Sequence, residues 1–361
     1  MARYYPDRIK LARESREYSQ VNFAELCGIS QANLSKIEKG LKIPSEEEVK
    51  TFSDILQYPM SFFEKDSTIH PYLKEFYYRR TLNIAQKKLD SFEAQINIIS
   101  EHIETLLEAI DLKTNLPSVN IENEEISPER LAQKIRIHFG VAKGSIRDLI
   151  STLEQAGIII LYFQFPASGK LDGVSFITKK GYPVILINRN SSNSRIIFTL
   201  AHELGHLIMH YSYLIADKRD IEKEANQFAT EFIAPSNEIK SDLIYLNANK
   251  LMELKLYWKM SIKALLYKAK TLGTMSEDQY RRWMTTYNMK RWSAGEPVEF
   301  DISTPRLLSR IFELHFTTLQ YSKQELLNIL NLNEQDLLEL YDLDIIKKYF
   351  VLPGRKIKLI L

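Results

Sequence analysis

The sequence predicts a multidomain protein: an all-α helix-turn-helix domain, then an α+β domain with a small antiparallel sheet, then a helical C-terminal region. Three observations carry this. At 361 residues the chain exceeds one ordinary core. Two short helical runs, QVNFAELCG and SQANLSKIEKG, meet across Gly28, Ile29 and Ser30, which is helix-turn-helix spacing. Three β-branched and aromatic runs, IIILYFQF, DGVSFIT and YPVILINRN, stand together in a chain whose period is otherwise helical. The boundaries expected are 1–65 for the helix-turn-helix, 66–126 for a helical connector and linker, 127–240 for the sheet-bearing domain and 241–361 for the C-terminal region.

The first element rests on its turn chemistry. Gly28 can take the left-handed conformation that ends a helix, and Ser30 can cap the next. Leu34 and Ile37 form an inner face with Ala24 and Leu26 opposite, leaving Gln31, Ala32, Ser35, Lys36 and Lys39 outward. The net charge of the chain is only +2, so contact with nucleic acid has to come from a local patch. Residues 1–43 carry eight Lys or Arg against five acids, a balance of plus three. The lone cysteine, Cys27, reads as a small core residue and excludes an internal disulfide framework. No apolar run has membrane-spanning length, and MARYYPDRIK lacks the apolar core of a secretory leader, so a cytoplasmic, membrane-free protein is expected.

The connector ends in the acidic, aperiodic SVNIENEEIS. Ser127 and Pro128 then open a helix, and DLISTLEQAG closes on Gly157 before the three strands. After Ser194, a cap candidate, the helix RIIFTLAHELGHLIMH carries His202, Glu203 and His206 as H-E-x-x-H. Residues four apart share a helix face, so both imidazoles can grip one zinc ion, while Glu203, about 100° away, is free to serve as general base. Two histidines with a carboxylate also suit manganese or iron. A third protein ligand is needed. His210 lies about 12 Å along the helix from His202 at 1.5 Å per residue, too far to share the ion, and reads as a supporting or surface residue. The next helix, DIEKEANQFATEFIAP, offers Glu222 and Glu224, and periodicity does not choose between them.

Residues 6–64 resemble the Xre and phage-repressor helix-turn-helix family through Gln20, the GIS turn, IEKG and Pro44. That resemblance implies double-stranded DNA as a partner, base contacts from Gln31, Ala32 and Lys36, and phosphate contacts from Gln20 and Asn33. FTLAHELGH, a following histidine, and E-x-E-A-N-x-F-A before Pro235 closely resemble the ImmA/IrrE family of metallopeptidases, over about residues 128–300. It implies a gluzincin-like α+β domain, one zinc per chain, and Glu224 as third ligand, with Glu222 second choice.

The function expected is a DNA-binding regulator with zinc-dependent endopeptidase activity, cutting a protein substrate such as a transcriptional repressor. The alternative is a repressor or antitoxin-like protein whose peptidase domain senses or binds, and a pseudoenzyme scaffold is the third reading. A substrate strand is expected along the sheet edge at Val184 to Asn188. Arg195, His210, Tyr211 and Tyr213 lie near enough in sequence to stabilise an oxyanion, and none is singled out. The C-terminal helices, ending in KKYFVLPGRKIKLIL, are expected to pack on the sheet-bearing domain or form a homodimer contact.

Overall fold

The computed structural model describes residues 3–66, 69–70, 72, 85–121, 125–165, 171–211 and 219–350. Tyr213 and the final residues 351–361 lie outside the described residues. In chain order the elements are α1 (Pro6–Ser15), α2 (Gln20–Leu26), α3 (Gln31–Glu38), α4 (Glu46–Leu56), α5 (Met60–Glu64), α6 (Gln86–Leu106), α7 (Pro128–His138), α8 (Leu149–Gln155), β1 (Ile159–Phe163), β2 (Gly173–Ile177) and β3 (Pro183–Asn188). There follow α9 (Asn193–Met209), α10 (Ile221–Ile233), α11 (Ser236–Ile239), α12 (Ala248–Trp258), α13 (Ile262–Thr271), α14 (Glu277–Met289), α15 (Leu307–Thr317), α16 (Lys323–Leu330), α17 (Glu334–Leu340) and α18 (Asp344–Phe350). They form two compact units. One combines Met1–Asp111, Phe165–Leu171 and Leu308–Leu361, and the other combines Leu112–Gln164 and Asp172–Leu307.

The first unit is all-helical among the described residues. Gly28 takes φ +68°, and the Ser30 hydroxyl accepts the Asn33 amide at 3.2 Å, so the α2–α3 turn forms as its residues demand. Phe23, Ala24, Leu34, Ile37 and Phe52 are buried between α2, α3 and α4. Leu26 is not a core residue: it is 54% exposed. With Phe23 and Ala24 facing inward, position 26 lies about 110° from the middle of that face, and half-buried Cys27 comes back toward the core instead. The charges inside this unit are paired. Arg13 meets Glu38 through Nε at 2.6 Å and Nη2 at 3.0 Å, and Arg8 ties α1 to Glu101 of α6 at 2.7 Å.

The C-terminal helices belong to this unit, not to the sheet-bearing one. Arg16 at the end of α1 pairs with Asp336 of α17, Asn333 Nδ2 donates to the Gln57 carbonyl at 2.7 Å, and Ser61 donates to Asn331 at 2.6 Å. The outward polar groups of α1, α4 and α5 thus find partners about three hundred residues later. No local pattern in α15–α18 carries that information.

The second unit is built on the three-stranded sheet, in the order β1-β3-β2. The sheet is mixed rather than antiparallel: β1 pairs with β3 in parallel and β2 pairs with β3 antiparallel. Three consecutive strands that alternate in direction give an antiparallel meander only if they lie side by side in chain order. Here β3 inserts between its predecessors and so runs with β1. Its near-complete burial, Val184 through Ile187, fits that central place. Val184 to Asn188 is therefore not an edge, and β2 is the edge strand on its side.

Helix α9 packs against β2 and β3 and pairs with α10. Its cap position is Ser192, with Ser194 already inside the helix. Two glycines set these distances. A Cβ at Gly173 would lie 2.4 Å from the Thr199 methyl, and one at Gly205 would lie 3.1 Å from the Phe228 ring. The missing side chains let β2 and α10 close on the helix that carries H-E-x-x-H. Leu200, Leu204, Phe228 and Phe232 fill the core beside it.

Candidate metal centre

His202 and His206 are one turn apart on α9 and project together, as their spacing requires. Their Nε2 atoms are 3.0 Å apart, and the Glu222 carboxylate lies 3.4 Å from the first and 3.3 Å from the second. For zinc bound at about 2.0 to 2.1 Å, tetrahedral donors sit about 3.3 Å from one another. The donor set and its separations therefore fit a divalent ion: two imidazole nitrogens and one carboxylate oxygen, all within 4.8 Å.

The structure brings Glu222 to the histidines and places Glu224 elsewhere. Two residues along a helix rotate the side chain by about 200°, so the two acids of E-x-E cannot face one point. Glu222 and Asn226, one turn apart, share the face toward α9, and Asn226 Oδ1 lies 3.1 Å from His202 Nδ1. Glu224 points to His210, 3.1 Å from its Nε2, and to Arg219 at 2.7 Å. His210 in turn lies behind His206, with the two Nδ1 atoms 3.0 Å apart. It supports the cluster from outside and is not among the converging donors.

Glu203 is 2% exposed and turns toward the sheet. Ser175 of β2 donates its hydroxyl to the Glu203 carboxylate at 2.6 Å, and the Tyr211 hydroxyl donates to the Ser175 carbonyl. Arg195 is engaged with Asp172 at 2.7 Å. Sequence reading did not find Ser175 or Asn226; only the packing of β2 and α10 on α9 shows what they touch.

The charges are strongly coupled. Burial works to raise the Glu222 carboxyl, but hydrogen bonds from His202 and His206 outweigh it and hold the group well below the usual carboxylate range. Burial likewise works to lower His202, yet the Glu222 hydrogen bond and the charges of Glu203 and Glu222 raise it. His210 goes the other way. Burial, then the neighbouring His206 and Arg219, depress it to about 2.

In the helix-turn-helix, Gln31, Ala32 and Lys36 are exposed on α3. Gln20 is held between the two helices, donating to Glu38 at 2.7 Å and accepting from Gln31 at 2.9 Å. The Asn33 amide is tied to Glu48 at 3.2 Å, so it faces α4.

Residues 153–270 match the family model of the IrrE N-terminal-like domain, and residues 9–63 match that of a helix-turn-helix. The chain thus carries an IrrE/ImmA-like peptidase domain over residues 153–270 and an Xre-type helix-turn-helix domain over residues 9–63. The IrrE-like match contains both histidines, Glu203, Glu222, Ser175 and Asn226, so the whole donor cluster lies within it. No curated protein matches the chain. Among the described residues no helix is long and apolar enough to cross a membrane.

Proposed function

We propose that this protein is a DNA-binding regulator whose IrrE-like domain is a zinc-dependent endopeptidase. The observation that carries the proposal is the convergence of His202, His206 and Glu222 beside a buried Glu203. His202, His206 and Glu222 would hold the ion. A divalent cation at such a site supplies Lewis acidity, activating water and polarising a peptide carbonyl. Glu203 then acts as general base for the attacking water and passes the proton to the leaving nitrogen. The Ser175 hydroxyl orients the Glu203 carboxylate for both transfers. Nothing in this scheme needs a covalent enzyme intermediate.

The peptide would pair with β2, the edge strand beside Glu203. Bonds from Asn188 to Asp172 and from Thr178 to Tyr182 turn the even-numbered residues of β2 toward β3. Gly173, Ser175 and Ile177 therefore present backbone groups on the other side. A strand bound on that edge would run past Ser175, which holds the Glu203 carboxylate.

On the DNA side, Gln31, Ala32 and Lys36 of α3 would read bases, with Gln20 positioned by Glu38 for the backbone. Asn33 would contribute through α4 more than through phosphate. A DNA-binding domain and a peptidase on one chain suggest a substrate that meets the protein at a promoter, and a transcriptional repressor fits best. The test is cleavage of purified repressors encoded beside this gene, by the full chain and by Glu203→Gln. The variant should retain its metal and lose about 10²- to 10⁴-fold in rate. Equal cleavage by both would sink the mechanism, and metal binding without cleavage by either would favour a sensor over an enzyme.

A further inference from the structure

The outer side of β2 already carries one bond. Gly173, Ser175 and Ile177 turn their backbone groups away from β3, and Ser175 is the middle of the three. Among the described residues no further strand lies on that side. The Ser175 carbonyl instead accepts the hydroxyl of Tyr211, which lies two residues beyond the end of α9. The Tyr211 ring packs against the core of the second unit, which gives the hydroxyl a fixed base. Ser175 Oγ lies 3.5 Å from the same hydroxyl and donates to Glu203 at 2.6 Å. Tyr211 thus meets the edge at the residue that holds the candidate general base. A strand added to an edge uses both the N–H and the C=O of each outward residue, in parallel or antiparallel pairing. A carbonyl oxygen has two lone pairs, but a bonded phenol draws on its charge and crowds a second donor.

We propose that Tyr211 is a releasable latch on the β2 edge: its hydroxyl holds the Ser175 carbonyl until an extended polypeptide segment replaces it with a backbone N–H. The choice of occupant rests on the peptidase reading above, but the contact does not. The latch guards a strand edge against stray pairing, because a chain that binds there has to displace a bond already made. It also selects at one position. The residue facing the Ser175 carbonyl must bring an N–H, so proline is excluded there.

The experiment uses the full chain with Glu203→Gln, so that nothing is cut, and β-casein as an unfolded probe. Serine labelled with ¹³C at its carbonyl and phenylalanine labelled with ¹⁵N give signals from only three junctions, Ser61–Phe62, Ser91–Phe92 and Ser175–Phe176. Adding Tyr211→Phe keeps the ring and removes the hydroxyl. The Ser175 carbonyl carbon should then move upfield, as an acceptor does when it loses a donor. Casein should bind this chain about 2- to 10-fold more tightly, the worth of one neutral hydrogen bond, and should move the Ser175–Phe176 signal in both chains. An unmoved carbonyl in Tyr211→Phe, equal affinity of the two chains, or a junction that casein leaves in place would overturn the latch. If Tyr211→Phe fails to fold, the casein titration of the chain with Tyr211 decides by the same signal. Casein that binds in this way while the chain with Glu203 intact cuts neither casein nor a repressor would keep the latch and end the peptidase reading.

Discussion

The helix-turn-helix and the α9–α10 pair both bury charged and ionisable side chains, but they close their accounts differently. In the first unit each buried charge meets an opposite one: Arg13 with Glu38, Arg8 with Glu101. These pairs are complete within the protein, and they lock α1 to α3 and α1 to α6. In the second unit two imidazole nitrogens lie 3.0 Å apart, and the two oxygens of one carboxylate lie 3.4 and 3.3 Å from them, with no arginine or lysine among these three side chains. Nitrogens and oxygens that can each offer a lone pair to one point fit a cation from outside as well as they fit one another's protons. The difference separates a structural ion pair from a binding site, and burial alone does not distinguish them.

Breaking a closed pair should cost the most stability. Glu38→Leu leaves the buried Arg13 guanidinium with only the longer Glu14 contact at 3.3 Å, and denaturant unfolding should show a loss of about 3 to 5 kcal/mol with zinc affinity unchanged. A loss under about 1 kcal/mol would mean that Glu14 or water can replace the acid.

The open cluster should behave in the opposite sense, gaining stability from its ligand. Zinc at a hundred times its dissociation constant should stabilise the parent by about 2.7 kcal/mol, read as a rise in thermal midpoint. Glu222→Gln should lose most of that rise, and Glu38 variants should keep it. If Glu222→Gln keeps the full rise, Glu222 is not a ligand.

A third kind of burial, a neutral one, sharpens the comparison. His102 of α6 is buried in the first unit, its Nδ1 2.9 Å from the Tyr341 hydroxyl. Burial lowers it from the ordinary 6.5 to about 3, with the Glu101 charge opposing. Between those values the unfolded chain takes up a proton that the folded chain refuses. The contribution of His102 is therefore complete above pH 6.5 and lost as pH falls toward 3. The slope is up to about 1.4 kcal/mol per pH unit. His102→Gln should flatten that part of the stability profile by one proton, and an unchanged slope would assign the acid sensitivity elsewhere.

Local chemistry explains which parts were legible. Caps and turns depend on a few adjacent residues, so the α2–α3 turn was readable from Gly28 and Ser30, and the start of α7 from Ser127 and Pro128. The choice between Glu222 and Glu224 depends on how α10 is rotated against α9. Both acids border the same apolar stripe, and the packing of α10 on α9, with Phe228 close against Gly205, turns Glu222 toward the histidines. Leu26 was misplaced for a related reason, because the inward face of α2 is fixed by packing against α4 as much as by its own period.

Sequence by itself determined the pieces that neighbouring residues control: two histidines on one helix face, the tight turn ahead of α3, and three β-rich runs. A period or a cap is a property of the chain within a few residues. Tertiary structure decided the order β1-β3-β2, the contact of Glu224 with His210, and the joining of α15–α18 to the helix-turn-helix unit. Each of these is a pairing between segments far apart in the chain. Several pairings leave the local pattern unchanged, and the one adopted is selected by packing and by the partners that buried polar groups find.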